Sequence, residues 1–153
     1  MATRLKAKAS DLYEQDLYAW SKEQADLLRA GRFADLDLEH LIEEVDDLGA
    51  ALKRSVRNRI RTIIEHLLKL GHSAASEPRA GWRATVRIQR VRLRDVLSPV
   101  LRREIEGELA ELYEDGRKLA EGALRDHGEE AAADALPKTC PYTLDQITGD
   151  WLP

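Results

Sequence analysis

Residues 38–69 read LEHLIEEVDDLGAALKRSVRNRIRTIIEHLLK, and this stretch decides the fold. Its apolar side chains recur every three or four residues, which places them on one face of an α-helix. The positions on this face are Leu38, Leu41, Ile42, Val45, Leu48, Leu52, Val56, Ile60, Ile63, Ile64 and Leu67. A stripe of this length predicts one long amphipathic helix that packs against other helices.

Helices are also predicted on both sides of this stretch. Ser10 is a suitable N-cap for a helix over residues 11–29. Ser98 followed by Pro99 predicts the start of another helix, which runs to about residue 125. Thr143 and Gln146 have the spacing of a capping box, which predicts a short helix near the C-terminus.

Residues 85–96 are ambiguous, because Val86, Ile88, Val91 and Leu93 alternate in part with arginines as in a strand. A helix is favoured, since a lone strand would find no partner in a chain that otherwise predicts none. The predicted fold is all-α: a single-domain helical bundle with one long central helix and a short C-terminal helical segment. We expect a flexible N-terminus over residues 1–10 and a single helical domain over residues 11–153.

Composition excludes several classes of protein. The chain has 153 residues, enough for one domain, and Cys140 is its single cysteine, so neither an intrachain disulfide nor a multi-thiolate zinc site is expected. No stretch approaches the 18 or so apolar residues of a membrane span, and the N-terminus carries no signal-peptide pattern. Glycine-rich phosphate loops and hydrolase motifs are also missing. We therefore expect a cytoplasmic protein with no membrane association and no cofactor.

Charge is segregated along the chain. The formal net charge is −4, but residues 50–103 carry 14 Lys and Arg against three acids. Residues 1–49 have a net charge of −6 and residues 104–153 a net charge of −9. A basic middle between acidic ends either neutralises itself within the fold or an oligomer, or binds an anionic partner.

The first candidate site is a stripe of arginines, Arg83, Arg87, Arg90 and Arg94, that begins beside Trp82. Guanidinium groups at this helical spacing could bind phosphates while the indole stacks on a base. The alternative is that these arginines pair with the acids of residues 35–47 and 104–114 in the same fold or across a dimer. We favour the alternative, because acids outnumber bases overall.

Two further groups of residues are candidate sites. His40, Glu44 and Asp47, with Glu43 beside them, share a helical face, but this face lies opposite the apolar stripe, so a solvated surface is favoured over a metal site. Arg61 and His66 match the Arg-x4-6-His spacing of the HEPN-type ribonucleases, in which histidine serves as acid or base. On one helix these two side chains lie about 140° apart, so catalysis by Arg61 and His66 is only an alternative.

Several segments resemble a known family. They are LYEQDLYAW at 12–20, LLRAGRFADLD at 27–37, LIEEV at 41–45, HLLK at 66–69, GWRATV at 81–86 and CPYT at 140–143. In this order they are similar to the bacterial helical family called domain of unknown function twenty-nine. Gly81 departs from its pattern, since a serine is usual before the tryptophan. The resemblance implies an all-helical fold, with helix in the arginine segment, but no activity and no catalytic residue.

We expect a non-enzymatic protein-interaction module with segregated charge. Because the long helix is too extended for its neighbours to cover, a homodimer or another protein partner is expected. The alternative is a nucleic-acid-associated protein: an RNA or DNA binder that uses Trp82 and the arginine stripe, or a HEPN-like ribonuclease.

Overall fold

The structure is a computed structural model, and it describes residues 11–153. Within these residues the fold is all-α and contains no strand, as predicted. The chain divides into two compact units, with the boundary between Ala51 and Leu52. The flexible N-terminus predicted for residues 1–10 lies outside the described residues. The single domain over residues 11–153 stays a prediction, because compactness does not show whether the two units unfold together.

The N-terminal unit begins with helical residues 11–15, followed by helix α1, Leu17–Arg29, and a 3₁₀ turn, Phe33–Asp35. The prediction of one uninterrupted helix over residues 11–29 is wrong. Asp16 leaves helical geometry, with φ −155°, and its side chain accepts a hydrogen bond from the Ala19 amide at 2.9 Å. Asp16 therefore caps α1, whereas the predicted cap, Ser10, lies outside the described residues.

Helix α2 spans Leu38–His72, and its 35 residues confirm the predicted long helix. The predicted burial of its stripe holds only in part. Val56, Ile60 and Leu67 are fully buried, whereas the positions before residue 50, apart from the half-buried Leu41, are open to solvent. The exposed fractions are 61% for Leu38, 54% for Ile42, 66% for Val45 and 63% for Leu48.

In the C-terminal unit, helix α3, Arg79–Arg94, confirms helix in the arginine segment. It is followed by α4, Pro99–Gly107, α5, Leu109–Asp126, α6, Glu130–Asp134, and α7, Leu144–Thr148. The Ser98 cap and the Thr143 capping box form as predicted. The helix predicted from residue 99 to 125 is instead broken at Glu108, which has φ −101° and binds Lys53 Nζ at 2.6 Å.

The core of this unit consists of apolar side chains from α2, α3, α4, α5 and α7. Its members include Ile60, Ile64, Leu67, Val86, Leu93, Ile105, Leu112, Tyr113, Leu124 and Ile147. Gly116 permits close packing of α5 on α2, because a Cβ at this position would lie 2.8 Å from Ile64 Cγ2 and 3.1 Å from the Arg61 carbonyl oxygen. The C-terminal half of the long stripe therefore has closely packed neighbours.

Candidate functional site

The N-terminal unit carries an apolar groove between α1 and α2. Its volume is about 720 Å³, and its walls are almost entirely apolar. Leu17, Tyr18 and Leu28 contribute from α1, and Leu41, Val45 and Leu48 from α2, with Trp20, Ser21, Gln24, Ala25 and Glu44 completing the lining. Most of these large side chains are exposed.

A polar network fixes the two helices on either side of the groove. Asp37 receives hydrogen bonds at its carboxylate from Trp20 Nε1 at 3.1 Å and at its amide donates one to Gln24 Oε1 at 2.8 Å. His40 Nδ1 lies 2.7 Å from Asp37 Oδ2, and this contact raises the pKa of His40. Trp20, Gln24 and Asp37 are all buried. The groove is therefore built on side chains held by specific hydrogen bonds.

Tyr13 closes the network at the other end. Its ring stacks on the His40 imidazole with centroids 4.0 Å apart, and its hydroxyl donates to Glu44 Oε1 at 2.8 Å. The carboxylate of Glu44 raises the pKa of Tyr13 to about 12. Two of the residues considered as metal ligands make these contacts: His40 binds Asp37, and Glu44 binds Tyr13. Within residues 11–153 no group of three or more His, Cys, Asp or Glu is arranged to hold a metal ion.

The arginine stripe of α3 divides into two kinds of residue. Arg90 is buried, and it donates hydrogen bonds to the carbonyl oxygens of Ile147 at 2.9 Å, Gln146 at 2.8 Å and Trp151 at 2.7 Å. Its guanidinium therefore anchors the C-terminal segment to α3. Arg90 was one candidate member of an anion-binding stripe, the less favoured interpretation, and its guanidinium makes these three hydrogen bonds to the protein's own backbone.

The other arginines of the stripe are exposed. Arg94 lies 3.6 Å from Asp150, while Arg83 and Arg87 form no ion pair among residues 11–153. Together with Arg90 they line a small pocket of about 140 Å³ that also contains Asp150. Trp82 does not join them. It lines a different pocket, where Lys69 Nζ lies 5.4 Å from its ring centroid.

Neutralisation within the chain occurs elsewhere, on the second half of α2. Lys53 Nζ binds Glu108 at 2.6 Å and Glu104 at 2.9 Å, and Arg57 binds Glu111 at 2.7 Å. Lys53 and Arg57 lower the pKa of Glu108. The acids of α4 and α5 thus pair with α2, whereas among the described residues none of Arg83, Arg87, Arg90 and Arg94 pairs with an acid of residues 104–114.

Arg61 and His66 have separate partners. Arg61 reaches Asp115 at 3.4 Å and also binds Asn58. His66 Nδ1 lies 2.8 Å from the Thr62 carbonyl oxygen, and burial lowers the pKa of the imidazole. The structure therefore gives these two side chains structural contacts of their own and does not bring them to a common partner.

Cys140 also has a local role. Its thiol donates to the Tyr142 carbonyl oxygen at 3.3 Å, and burial raises the pKa of the thiol. A raised pKa keeps the sulfur protonated, which is the less nucleophilic form.

Comparisons with known proteins agree with this architecture. A family model described as domain of unknown function DUF29 matches residues 12–152. The crystal structure of an α-helical protein of unknown function from Rhodospirillum rubrum is 28% identical, with a TM-score of 0.66, and the match covers 89% of this chain and 88% of that chain. Among curated proteins no match is found. In residues 11–153, no helix combines the length and apolar character needed to cross a membrane.

Proposed function

The chain belongs to the DUF29 family, a domain of unknown function, and from its own surfaces we propose that it is a protein-interaction module. In this proposal the groove between α1 and α2 binds an apolar and basic surface of a protein partner. The observation that carries the proposal is the exposed apolar stripe Leu38, Ile42, Val45 and Leu48 beside Leu17 and Tyr18 of α1. Contiguous exposed apolar surface on a small protein is typical of an interface.

The charge around the groove indicates the chemistry of the partner. Residues 11–51 contain twelve acids and three bases, a net charge of −9. On helix α2, Glu44 flanks one edge of the exposed stripe, and Glu39 and Asp46 flank the other, according to the helical spacing. Lys22, 5.8 Å from the Tyr18 ring centroid, is a positive charge on α1 near the groove. An apolar surface bordered by arginine or lysine complements this acidic rim.

Site-specific photo-crosslinking in cells tests the proposal. p-Benzoylphenylalanine in place of Val45 is expected to give a covalent adduct with a protein, because this side chain is 66% exposed within the stripe. The matched control places the same group at Lys118, an exposed position of α5.

The adduct at position 45 should disappear when Leu48→Asp is added and persist when Leu119→Asp is added. Leu119 is 51% exposed on α5, so it controls for a new charge on an apolar surface position. Equal adducts from positions 45 and 118, or none from position 45, would contradict the proposal.

Nucleic-acid binding is the second candidate, and one observation favours it. Arg83 and Arg87 are exposed, and neither pairs with an acid among residues 11–153. Titration of a labelled single-stranded RNA at several salt concentrations tests this candidate, since phosphate contacts give an affinity that falls steeply with salt. Binding that Arg83→Gln with Arg87→Gln abolishes would support it. An RNA that does not bind at low salt would exclude it.

A further inference from the structure

The outer face of α3 has the chemistry that the proposed function requires of a partner. Ala80, Ala84, Ile88 and Val91 follow one another at spacings of four, four and three residues, which aligns them along one side of the helix. This side is separate from the one that carries the buried Val86 and Leu93. Ile88 is 49% exposed and Val91 is 52% exposed. Helix α3 therefore presents a second apolar strip to solvent.

Arginines border this strip on both sides. By helical spacing, Arg83, Arg87 and Arg94 lie along one edge, and Arg92 lies along the other. All four are exposed, and among the described residues only Arg94 of this set reaches a carboxylate, that of Asp150 at 3.6 Å. Asp95, just beyond the helix, is the single acid in residues 79–95. Exposed isoleucine and valine between exposed arginines suit a protein surface better than a phosphate backbone, which offers no apolar contact.

The two surfaces have complementary chemistry, because both are apolar and their borders carry opposite charges. The groove is apolar with an acidic rim, and the α3 strip is apolar with a basic rim. A helix that lies in a groove between two helices makes ordinary helix packing, with its side chains between theirs. Opposite rim charges add orientation and faster association. Because both surfaces belong to the same chain, every copy carries both halves of one contact.

We infer that the groove of one copy receives the outer face of α3 from a second copy, a statement that rests on the proposed function of the groove. In a two-fold dimer this contact occurs twice, once in each direction. The association brings the acidic rim of α2 in one copy to the exposed arginines of α3 in the other, of which Arg83, Arg87 and Arg92 form no ion pair among residues 11–153. The kind of partner is thus a second copy of this chain, and its docking segment is residues 80–94.

Two single substitutions and their mixture test the contact in the full chain. Val45→Asp disables the groove and Val91→Asp disables the α3 strip. Each position is more than half exposed, so at a dilution where the chain is monomeric the helix content and melting temperature should stay at the wild-type values. Analytical ultracentrifugation should show self-association of the wild type at up to about 100 µM. Each substitution should weaken that association by roughly thirtyfold or more, the effect of losing an interface hot spot.

Mixing the two variants gives the sharper result. The intact groove of the Val91→Asp copy can still receive the intact α3 of the Val45→Asp copy, so the mixture should form heterodimers that neither variant forms alone. Leu119→Asp serves as the matched control and should self-associate as the wild type does. Sedimentation that reports heterodimers only in the mixture supports the reciprocal contact.

Three outcomes would overturn the inference: a wild type that is monomeric over this range, self-association that Val91→Asp leaves unchanged, or variants that mixing does not restore. The second outcome would indicate a symmetric groove-to-groove contact. The crosslink from position 45 distinguishes a failure of this inference from a failure of the proposed function. An adduct with a different protein would keep the proposed function while removing the second copy, and no adduct would remove both.

Discussion

The two halves of helix α2 carry the same apolar spacing but lie in different surroundings. From Val56 to Leu67 the stripe is covered by α3, α4 and α5 and is fully buried. From Leu38 to Leu48 its neighbour in the N-terminal unit is α1, and four of the five stripe positions, Leu38, Ile42, Val45 and Leu48, are each more than half exposed. Helical periodicity therefore determines which face of a helix is apolar, while the elements packed around it determine whether that face is buried or exposed.

The two halves also handle charge differently. In the second half, Lys53 and Arg57 bind Glu108, and Arg61 reaches Asp115, so these three cations pair with acids of the C-terminal unit. In the first half, Glu39 and Asp46 form no ion pair among residues 11–153, although both are exposed. The acids beside the exposed stripe of the first half suit the basic partner that we propose.

The largest expected effect is a difference in stability between matched truncations in the two halves. Ile60→Ala removes buried methyl groups and leaves a cavity, which should lower the free energy of unfolding by about 2–5 kcal/mol. Val45→Ala removes groups that already contact water, so at a dilution where the chain is monomeric it should change stability by less than about 0.5 kcal/mol. Urea denaturation measures both. Equal losses of unfolding free energy from the two substitutions would show that the two halves of α2 do not differ in burial.

The next effect probes how closely α5 packs on the buried half. Gly116→Ala places a methyl group 2.8 Å from Ile64 Cγ2, so a neighbour must move, and the free energy of unfolding should fall by about 1–3 kcal/mol.

Gly122→Ala is the matched control on the same helix, because a Cβ there meets no described atom within 4 Å. This change should stabilise the protein by about 0.5–1 kcal/mol through helix propensity. A Gly116→Ala variant as stable as Gly122→Ala would show that α5 and α2 are not in close contact.

Much of this fold could be predicted from the sequence, because the signals are local. The extent of α2, the Ser98 cap and the Thr143 capping box follow from spacing and side-chain chemistry in a few consecutive residues. The breaks at Asp16 and Glu108 were missed. At Asp16 the side chain accepts a hydrogen bond from the Ala19 amide and so caps a new helix, while Glu108 lies between two helices with its carboxylate bound to Lys53, which is distant in sequence.

The candidate site could be predicted only in outline. The length of the stripe indicated that its neighbours would not cover α2 completely, and the exposed first half agrees with this. The position of the groove could not be predicted, since it depends on how α1 packs. The role of Arg90 could not be predicted from the sequence either. Its partners are backbone carbonyls of residues 146–151, and such partners produce no pattern in side-chain spacing.

The smallest expected effect concerns one histidine in each half of α2. Stability should depend on pH in opposite directions through His40 in the first half and His66 in the second. The hydrogen bond to Asp37 raises the pKa of His40, so its stabilising contribution is complete below its unfolded pKa of about 6.5 and is lost as the pH rises through the folded value. Burial lowers the pKa of His66, so its folded form loses stability as the pH falls from about 6.5 through the folded value.

Proton NMR titration of the two imidazoles measures this directly. The His40 signals should titrate above the ordinary range and the His66 signals below it, with His40→Gln and His66→Gln assigning the resonances. The charged neighbours Glu65 and Lys69 act on His66 in opposite directions, and desolvation is the larger influence. Coincident titration curves would show that the two environments do not differ.

The most direct test of the account is hydroxyl-radical footprinting of the full chain across a dilution series, read out by mass spectrometry at each aliphatic side chain. We expect strong labelling of Leu38, Ile42, Val45 and Leu48 in dilute protein. This labelling should fall as the concentration rises and a second copy occupies the groove. Ile60, Ile63, Ile64 and Leu67 should stay unlabelled throughout. Labelling of the first half that is already absent in dilute monomer, or that does not change with concentration, would contradict the claim that a second copy covers this surface.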